Sequence, residues 1–522
     1  MKKLAKLLVR WALYAVGACV VLLFLFVLGY ALLARNRLPD LHAWHTMVLQ
    51  EEFKAQAPGA PKSFTEYKSL EEKLFAELRR RLLDDPTKAD SFALSRYHPG
   101  SVPAHLAYDT PYNRSFELVP PAPKGSVLLV HGLSDSPYMM RTLASLFYDR
   151  GYYVLSLRLP GHGTLPSGLL RVTWQDWYGA VALAARHAAQ QGGADKPFIA
   201  GGFSTGAALV TLFALRSLDD ASLRRPSRLF LVSPAIGITP LAVLTHILPA
   251  LSFIPGFEKS RWTDVLPEYD PYKYNSFPVN AGNQIYRLTK ELNRTLLAEK
   301  ERQRLQGMPK VCVFQSLVDA TVTPAEVVHG LLGELPGAGN ELIVFDVNRQ
   351  DALEGLLAQG PVLSLKRLRG AEKLPFRLTV VSNSGGSTSA VAAYTREAGA
   401  TDEQEAELGL EWPRGVVSLG HVALPFPSDD PIYGLTPRAD EVLRYGLGAF
   451  DARGESGALV VPLGALARLR SNPFFDVIRT TIAADLSTDD SSRLTLDPGA
   501  PKGSAPPPPE GTPAKPGVPP RH

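Results

Sequence analysis

Ser204 is the residue of this chain whose neighbours most clearly indicate chemistry. It is the central residue of a Gly-Phe-Ser-Thr-Gly motif at 202–206, with one apolar run before it at 197–201 and another after it at 207–215. The first run is typical of a short buried strand and the second of a helix. A serine on a sharp strand-to-helix turn projects its hydroxyl away from the backbone, and flanking glycines relieve the crowding of that turn. The motif therefore predicts that Ser204 is a nucleophile, with the free N–H groups of the following helix facing negative charge that forms there.

A serine hydroxyl attacks well only when a base takes its proton and an acid orients that base. Four histidines follow the motif: His246, His329, His421 and His522. His246 lies in an apolar stretch before any suitable acid, and His329 lies in a predicted helix. His522 ends a tail whose composition predicts disorder. His421 stands in a predicted loop after a short apolar run, so it is the predicted base.

The predicted acid is Asp319. It follows the apolar run 310–315, which is typical of a buried strand, and lies in the loop that leaves the carboxyl end of that strand. The carboxyl ends of parallel strands form the edge at which such sheets place their active sites. Asp346, at the end of the apolar run 342–345, is the alternative acid.

An oxyanion-binding site is predicted from the loop after another apolar run, 126–130. The backbone N–H of Leu133 in this loop and that of Thr205 could both bind a carbonyl oxygen as it becomes negative. Each such donor lowers the barrier by about 3 kcal/mol. His131, in the same loop, is interpreted as a structural histidine, and the Pro-Gly-His-Gly turn at 160–163 as a scaffold turn.

Taken in chain order, these motifs resemble the α/β-hydrolase superfamily. They are strand-His-Gly-Leu, Pro-Gly-His-Gly, Gly-Phe-Ser-Thr-Gly, Gln-Ser-Leu-Val-Asp and Gly-His-Val. The resemblance spans about residues 115–427 and is nearest to bacterial carboxylesterases and monoacylglycerol-lipase-like serine hydrolases. It implies an α/β fold with a mostly parallel central sheet flanked by helices, and a triad of Ser204, Asp319 and His421. Haloalkane dehalogenases and many epoxide hydrolases of the superfamily carry aspartate in place of this serine, which counts against those activities.

The resemblance implies a serine hydrolase that cleaves carboxylic esters of small molecules or lipids through an acyl-enzyme, without a cofactor. An acyltransferase using the same triad and a non-catalytic binding protein with the same fold are the alternatives. Peptidase and thioesterase activity also remain open, because the fold alone does not specify the leaving group. No Cys/His cluster has metal-ligand spacing, so no metal is predicted. The 55 basic and 51 acidic residues give no signal for nucleic-acid binding.

The N-terminus predicts a single-pass membrane anchor. Residues 11–33 form an almost unbroken apolar run, about 35 Å long as a helix, against a hydrocarbon core of about 30 Å. Residues 1–10 are basic, so the positive-inside rule predicts a cytoplasmic N-terminus and a periplasmic or extracellular catalytic domain. The apolar run is longer than the core of a typical cleavable signal.

The rest of the chain divides by composition and pattern. Residues 34–114 are predicted to form a polar stalk, at 35–62, and a helical segment. Residues 115–483 form the predicted hydrolase domain, with a lid at 235–305 that is apolar and rich in aromatic residues. About a hundred residues separate the predicted acid from the base, which predicts either an extended sheet or an insertion at 347–412. Residues 484–522 are rich in proline and predicted to be a disordered tail, and the oligomeric state stays open.

Overall fold

The computed structural model of the chain describes most of the sequence outside its C-terminal tail. The described residues are 2–237, 251–319, 321–337, 339–350, 353, 355–371, 373–385, 388–437, 445–449, 459–461 and 463–487.

Within the described residues, ten strands form one sheet in the order β1-β3-β2-β4-β5-β8-β9-β10-β11-β12. A separate two-stranded ribbon consists of β6 and β7. The strands are β1 (Phe116–Leu118), β2 (Ser126–Val130), β3 (Tyr153–Leu157), β4 (Phe198–Phe203), β5 (Arg228–Val232), β6 (Trp262–Asp264), β7 (Phe277–Pro278), β8 (Lys310–Ser316), β9 (Glu341–Phe345), β10 (Arg377–Asn383), β11 (Ala390–Arg396) and β12 (Gln404–Glu411).

The central strands, from β3 to β10, are parallel, whereas β1, β11 and β12 pair antiparallel with their neighbours at the two edges. Every residue of β2, β4 and β5 is buried. Parallel strands are covered on both faces, which explains why they are continuous apolar runs and not alternating ones. The α/β-hydrolase fold expected from the sequence motifs is confirmed.

The helices are α1 (Lys2–Arg37), α2 (Ala43–Thr46), α3 (Phe64–Leu78), α4 (Val102–Tyr108), α5 (Arg141–Tyr148), α6 (Trp174–Gly192), α7 (Thr205–Arg216), α8 (Val279–Glu301), α9 (Pro324–Val327), α10 (Gln359–Arg369), α11 (Leu463–Leu466) and α12 (Phe475–Leu486). Helices α5, α6 and α7 pack against strands of the sheet. One core cluster contains Trp177 of α6, Phe213 of α7 and Leu288 of α8. A second cluster, which includes other residues of β2 and β4, contains Phe147 of α5 and Ile478 of α12.

The segment before the sheet packs closely on the domain. Trp44 and Phe53 are buried, although the polar composition of 35–62 predicts an irregular stalk. The buried guanidinium of Arg158 binds the carboxylates of Glu52 and Glu71, at 3.1 and 2.7 Å. The acidic residues of this segment thus neutralise a cation inside the fold, a role that their sequence pattern does not reveal.

Residues 347–412 add strands β10, β11 and β12 to one edge of the sheet. The sheet is therefore extended at this edge. In the predicted lid, residues 238–250 lie outside the described residues. The part at 251–278 has little regular structure beyond β6, β7 and a 3-10 turn, and α8 then packs against α7. Of the predicted tail, residues 488–522 lie outside the described part of the chain.

Helix α1 is long and apolar enough to cross a membrane, a property that N-terminal signal sequences share. Leu22 and most other apolar side chains of its central turns are exposed. Towards its C-terminal end, Ala31 is fully buried against the domain, and the Tyr30 hydroxyl donates a hydrogen bond to the Trp262 carbonyl oxygen, 3.1 Å away.

Candidate active site

Ser204 lies between the end of β4 and the first residue of α7. Its backbone has φ 52° and ψ −112°, a left-handed conformation that is strained for a residue with a side chain. A Cβ atom at Gly206 would lie 2.0 Å from the Val130 carbonyl oxygen, and one at Gly202 would lie 2.4 Å from the carbonyl carbon of Gly206. Only glycine therefore fits at these two positions, as the motif predicts.

Asp319 and His421 form a buried, hydrogen-bonded pair at the same edge of the sheet. The Oδ2 atom of Asp319 lies 2.7 Å from Nδ1 of His421. The backbone N–H groups of Thr321 and Val322 donate to Oδ1 of Asp319, at 2.8 and 2.9 Å. Burial raises the pKa of Asp319, but the hydrogen bond from His421 and these N–H groups outweigh burial and hold it below its ordinary value. Asp319 is thus an ionised partner for the Nδ1–H group of His421.

The imidazole of His421 lies beside the strand that carries Ser204. Its ring centroid is 4.7 Å from that of Phe203, the residue that directly precedes Ser204. The loop before His421 is held by the Ser316 hydroxyl, which donates to the Leu419 carbonyl oxygen at 2.6 Å. The structure thus brings the three residues predicted as nucleophile, acid and base to one edge of the sheet.

The alternative acid, Asp346, and the candidate histidine His329 have different surroundings from Asp319 and His421. Asp346 is buried and accepts hydrogen bonds from Arg349 and from the Ser382 hydroxyl, at 2.8 and 2.7 Å. His329 is exposed on a helical turn, and His246 and His522 lie outside the described residues. Asp346 therefore has a structural role in its own part of the sheet extension.

The loop after β2 contains the predicted oxyanion donor Leu133, which is half-buried, while Thr205 begins α7. His131 joins this loop to the Pro-Gly-His-Gly turn, because its Nε2 accepts from the Leu159 N–H at 3.0 Å and its Nδ1 lies 2.8 Å from the Gly132 oxygen. Burial lowers the pKa of His131 far below its usual value, so it is neutral. Its structural interpretation agrees with these contacts, whereas the role of Leu133 and Thr205 as oxyanion donors stays a prediction.

Two cations near the site were not identified from the sequence. Lys273 Nζ lies 2.6 Å from Oδ1 of Asp135, in the loop that carries Leu133. A Cβ atom added at Gly420, next to His421, would lie 3.6 Å from Nε of Arg468. Lys273 follows its partner by 138 residues, and Arg468 lies in a segment without a motif, so no local pattern could have placed either residue here.

Comparisons with known proteins agree with this fold. Residues 127–385 match the sequence model described as the alpha/beta hydrolase family. A thermostable monoacylglycerol lipase of Bacillus sp. (strain H-257) is 46% identical over 55 residues, which are 10% of this chain. The match spans only 22% of the length of that lipase.

Two solved lipase structures match part of the chain at low identity. The monoacylglycerol lipase of Paleococcus ferrophilus is 17% identical with a TM-score of 0.33, over 44% of this chain and 87% of that one. A soluble variant of the monoglyceride lipase of Saccharomyces cerevisiae is 15% identical with a TM-score of 0.34, over 44% of this chain and 81% of that one. The family match over residues 127–385, the mostly parallel sheet and the serine at the strand-to-helix turn identify this part of the chain as an alpha/beta hydrolase domain.

Proposed function

We propose that this protein is a membrane-anchored serine hydrolase that cleaves carboxylic esters of lipids or small molecules with Ser204, His421 and Asp319. The observation that carries the proposal is the 2.7 Å contact between Asp319 Oδ2 and His421 Nδ1, beside the strand that ends at Ser204. A carboxylate in this position fixes the tautomer that leaves Nε2 free to accept a proton.

The reaction follows from these roles. His421 Nε2 takes the hydroxyl proton of Ser204 as the Oγ atom attacks the ester carbonyl carbon. The tetrahedral intermediate collapses as His421 gives that proton to the leaving alcohol, which breaks the carbon–oxygen bond and leaves an acyl group on Ser204. Water then attacks the acyl group, with His421 again accepting a proton, and the acid is released while the serine hydroxyl is restored.

The developing negative charge needs donors that are already in place. The backbone N–H of Thr205 lies at the N-terminus of α7, where the helix dipole favours negative charge. The N–H of Leu133 is the second proposed donor. Support for this role comes from the tight packing of its loop, where a Cβ atom at Gly132 would lie 2.7 Å from the Phe203 ring.

Lipid esters are the proposed substrates for two reasons. The chain shares a 55-residue match with a protein named as a monoacylglycerol lipase. Helix α1, if it spans the bilayer as proposed, holds the domain close to a membrane surface where such esters are concentrated.

Labelling of the detergent-solubilised full chain with a fluorophosphonate probe, followed by mapping of the adduct by mass spectrometry, tests the proposal. We expect one adduct on Ser204, which is lost in Ser204→Ala and strongly reduced in His421→Ala. His105→Ala is the matched control, because that histidine is exposed on α4 and pairs with Asp109, and it should label like the wild type. An unlabelled wild-type protein that is folded would refute the proposal. Labelling that survives in His421→Ala would show that another group is the base.

Product analysis then separates hydrolysis from acyl transfer. With a lipid ester and water alone, the proposal predicts release of the free fatty acid. Formation of a new ester in preference to free acid, when acceptor alcohols are added, would assign the protein as an acyltransferase.

A further inference from the structure

A cavity of about 180 Å³ is lined in part by the segment that directly follows His421. Its walls are aromatic: Tyr138 and Tyr272 stack with ring centroids 3.9 Å apart, and Phe426 and Tyr433 lie 4.3 Å apart. Val422, the residue after His421, also lines it. The cavity thus has room for a group of several non-hydrogen atoms, against the residue that follows the proposed base.

The cavity is lined by three cations and two of them have acidic partners. Lys273 pairs with Asp135 at 2.6 Å, and Arg470 pairs with Asp270 at 3.3 Å. In the described part of the chain, Arg468 has neither a hydrogen bond nor an ion pair. Among the described residues that line the cavity, Arg468 is therefore the cation without a hydrogen-bonded or ion-paired partner.

Arg468 lies close to the catalytic pair. A Cβ atom at Gly420, the residue before His421, would lie 3.6 Å from Nε of Arg468 and 3.7 Å from one of its terminal nitrogens. The Arg468 side chain is exposed. Partial desolvation and the charge of Arg470 lower the pKa of Arg468, whereas Asp319 raises it. An arginine remains a cation under these influences, because its ordinary pKa is so high.

The position of this charge decides which part of a substrate it would meet. In the proposed reaction His421 gives its proton to the leaving oxygen, so the alcohol part of the ester lies on the His421 side of the site. A planar guanidinium without a partner is suited to bind a phosphate or carboxylate through paired hydrogen bonds. We propose that Arg468 binds an anionic group, a phosphate or a carboxylate, carried by the alcohol part of the ester. This inference rests on the proposed function and names the substrate class of the same site.

The test compares esters that differ only in their alcohol. Full-length protein in neutral mixed micelles would be given monooleoylglycerol, oleoylglycerol 3-phosphate and the oleoyl ester of glycolate. We expect kcat/KM to be at least about tenfold higher for the preferred anionic ester than for the neutral one, the size of one charge-assisted interaction. In Arg468→Gln the preference should disappear while the rate with monooleoylglycerol stays within about twofold. Arg468→Lys should keep part of the preference, and Arg294→Gln, a substitution of an exposed arginine on α8, should keep all of it.

The two anionic esters distinguish phosphate from carboxylate as the bound group. Inhibition by inorganic phosphate alone would show that the site binds the free ion without the glycerol part. Equal rates for all three esters, or an equal loss of all three in Arg468→Gln, would overturn the inference.

Failure of this inference can be told apart from failure of the proposed function. Fluorophosphonate labelling of Ser204 in both wild type and Arg468→Gln, combined with equal rates for the three esters, would reject only the anion site. Binding of glycerol 3-phosphate to Ser204→Ala can be measured by calorimetry and requires no turnover. Its loss in the Ser204→Ala, Arg468→Gln double variant would support the site even if the serine proved unreactive, and no binding to Ser204→Ala would count against it.

Discussion

The Asp319 carboxylate and the His421 imidazole are 2.7 Å apart in space and 102 residues apart in the chain. The intervening segment leaves the sheet after β9, adds three strands at its edge and returns to its starting point. On its return the Asn348 N–H donates to the Val417 carbonyl oxygen at 2.7 Å, and the Ser316 hydroxyl donates to that of Leu419 at 2.6 Å. The long separation in sequence is therefore compatible with a close pair, because the segment that contains the extra strands begins and ends near the site.

We predict that Asp319→Asn lowers kcat by about three to four orders of magnitude, since asparagine cannot hold the imidazole in the tautomer that accepts the serine proton. The effect should appear in kcat more than in KM, because the change affects a proton transfer in the transition state. Steady-state kinetics with a short-chain nitrophenyl ester would measure it.

Asp346→Asn is the matched control for that substitution. Asp346 is buried to the same degree, yet its partners are Arg349 and Ser382. We expect a lower midpoint of thermal unfolding and a kcat within about fivefold of the wild type. A large loss of kcat in Asp346→Asn together with a small loss in Asp319→Asn would assign Asp346 as the catalytic acid and Asp319 as a structural residue.

The fold could be predicted from the sequence because the central strands are short apolar runs, and β2, β3, β4 and β8 are each followed by a motif. The positions of Ser204, Asp319 and His421 at strand ends follow from the same local patterns, although their catalytic roles stay predictions. The Asp135–Lys273 pair was not predictable, since it joins a loop to a segment 138 residues away. The burial of Trp44 and Phe53 was missed for a related reason: charged residues surround them in sequence, and those charges find partners such as Arg158 only in the folded protein.

Gly132→Ala is predicted to reduce kcat by about ten- to a hundredfold. The added Cβ would lie 2.5 Å from Oδ2 of Asp135 and 2.7 Å from the ring of Phe203. One of these groups must move, and both lie next to the proposed oxyanion donor or nucleophile, where loss of a single donor costs about 3 kcal/mol. Gly360→Ala is the control, because nothing lies within 4 Å of its added Cβ. Full activity in Gly132→Ala would show that the loop tolerates displacement and does not position the oxyanion.

Glu71→Gln is predicted to lower the free energy of unfolding by about 3 kcal/mol, because it leaves the buried Arg158 cation with one carboxylate in place of two. The Glu71 carboxylate also accepts the N–H of Ser115 at 3.0 Å, so the loss affects the start of the sheet. Denaturant unfolding in detergent would measure the change. Glu72→Gln, at the exposed neighbouring position, should change stability by less than about 0.5 kcal/mol. Equal effects of the two substitutions would mean that the segment before the sheet does not contribute to the stability of the domain.

Glu268 should make the stability of the protein depend on pH near neutrality. Burial raises the pKa of Glu268 to about 7, although the N–H groups of Asn275 and Ser276 and the charge of Arg96 oppose the rise. A carboxyl group with a raised pKa in the folded state favours folding below its unfolded pKa of about 4.5, and this contribution is lost as the pH rises through about 7. We expect the free energy of unfolding of the wild type to fall between pH 5 and pH 8, by up to about 3 kcal/mol.

Glu268→Gln should show a flatter dependence of unfolding free energy on pH. Glu258→Gln, at an exposed position, should follow the wild type. A wild-type profile that does not fall over this range would contradict the prediction.

The role of α1 can be tested through the difference between its central and terminal turns. Leu22 is 65% exposed in the centre of the helix, whereas Leu4 is exposed close to its basic end. Leu22→Arg should weaken insertion by about 3 kcal/mol, since a cation would have to enter the hydrocarbon core, whereas Leu4→Arg should have little effect at the interface. The fraction of protein that stays in the membrane after an alkaline carbonate wash measures the difference.

The N-terminal mass of the membrane-bound protein decides between an anchor and a cleaved signal. An anchor predicts an intact chain, in which Ala31 stays buried and Tyr30 keeps its hydrogen bond to Trp262. Cleavage within the apolar run would remove the membrane-spanning part. The remaining domain would then be released from the membrane by the carbonate wash. An intact N-terminus combined with complete release by carbonate would contradict both the anchor and the signal, and would assign α1 to an interaction with protein instead of lipid.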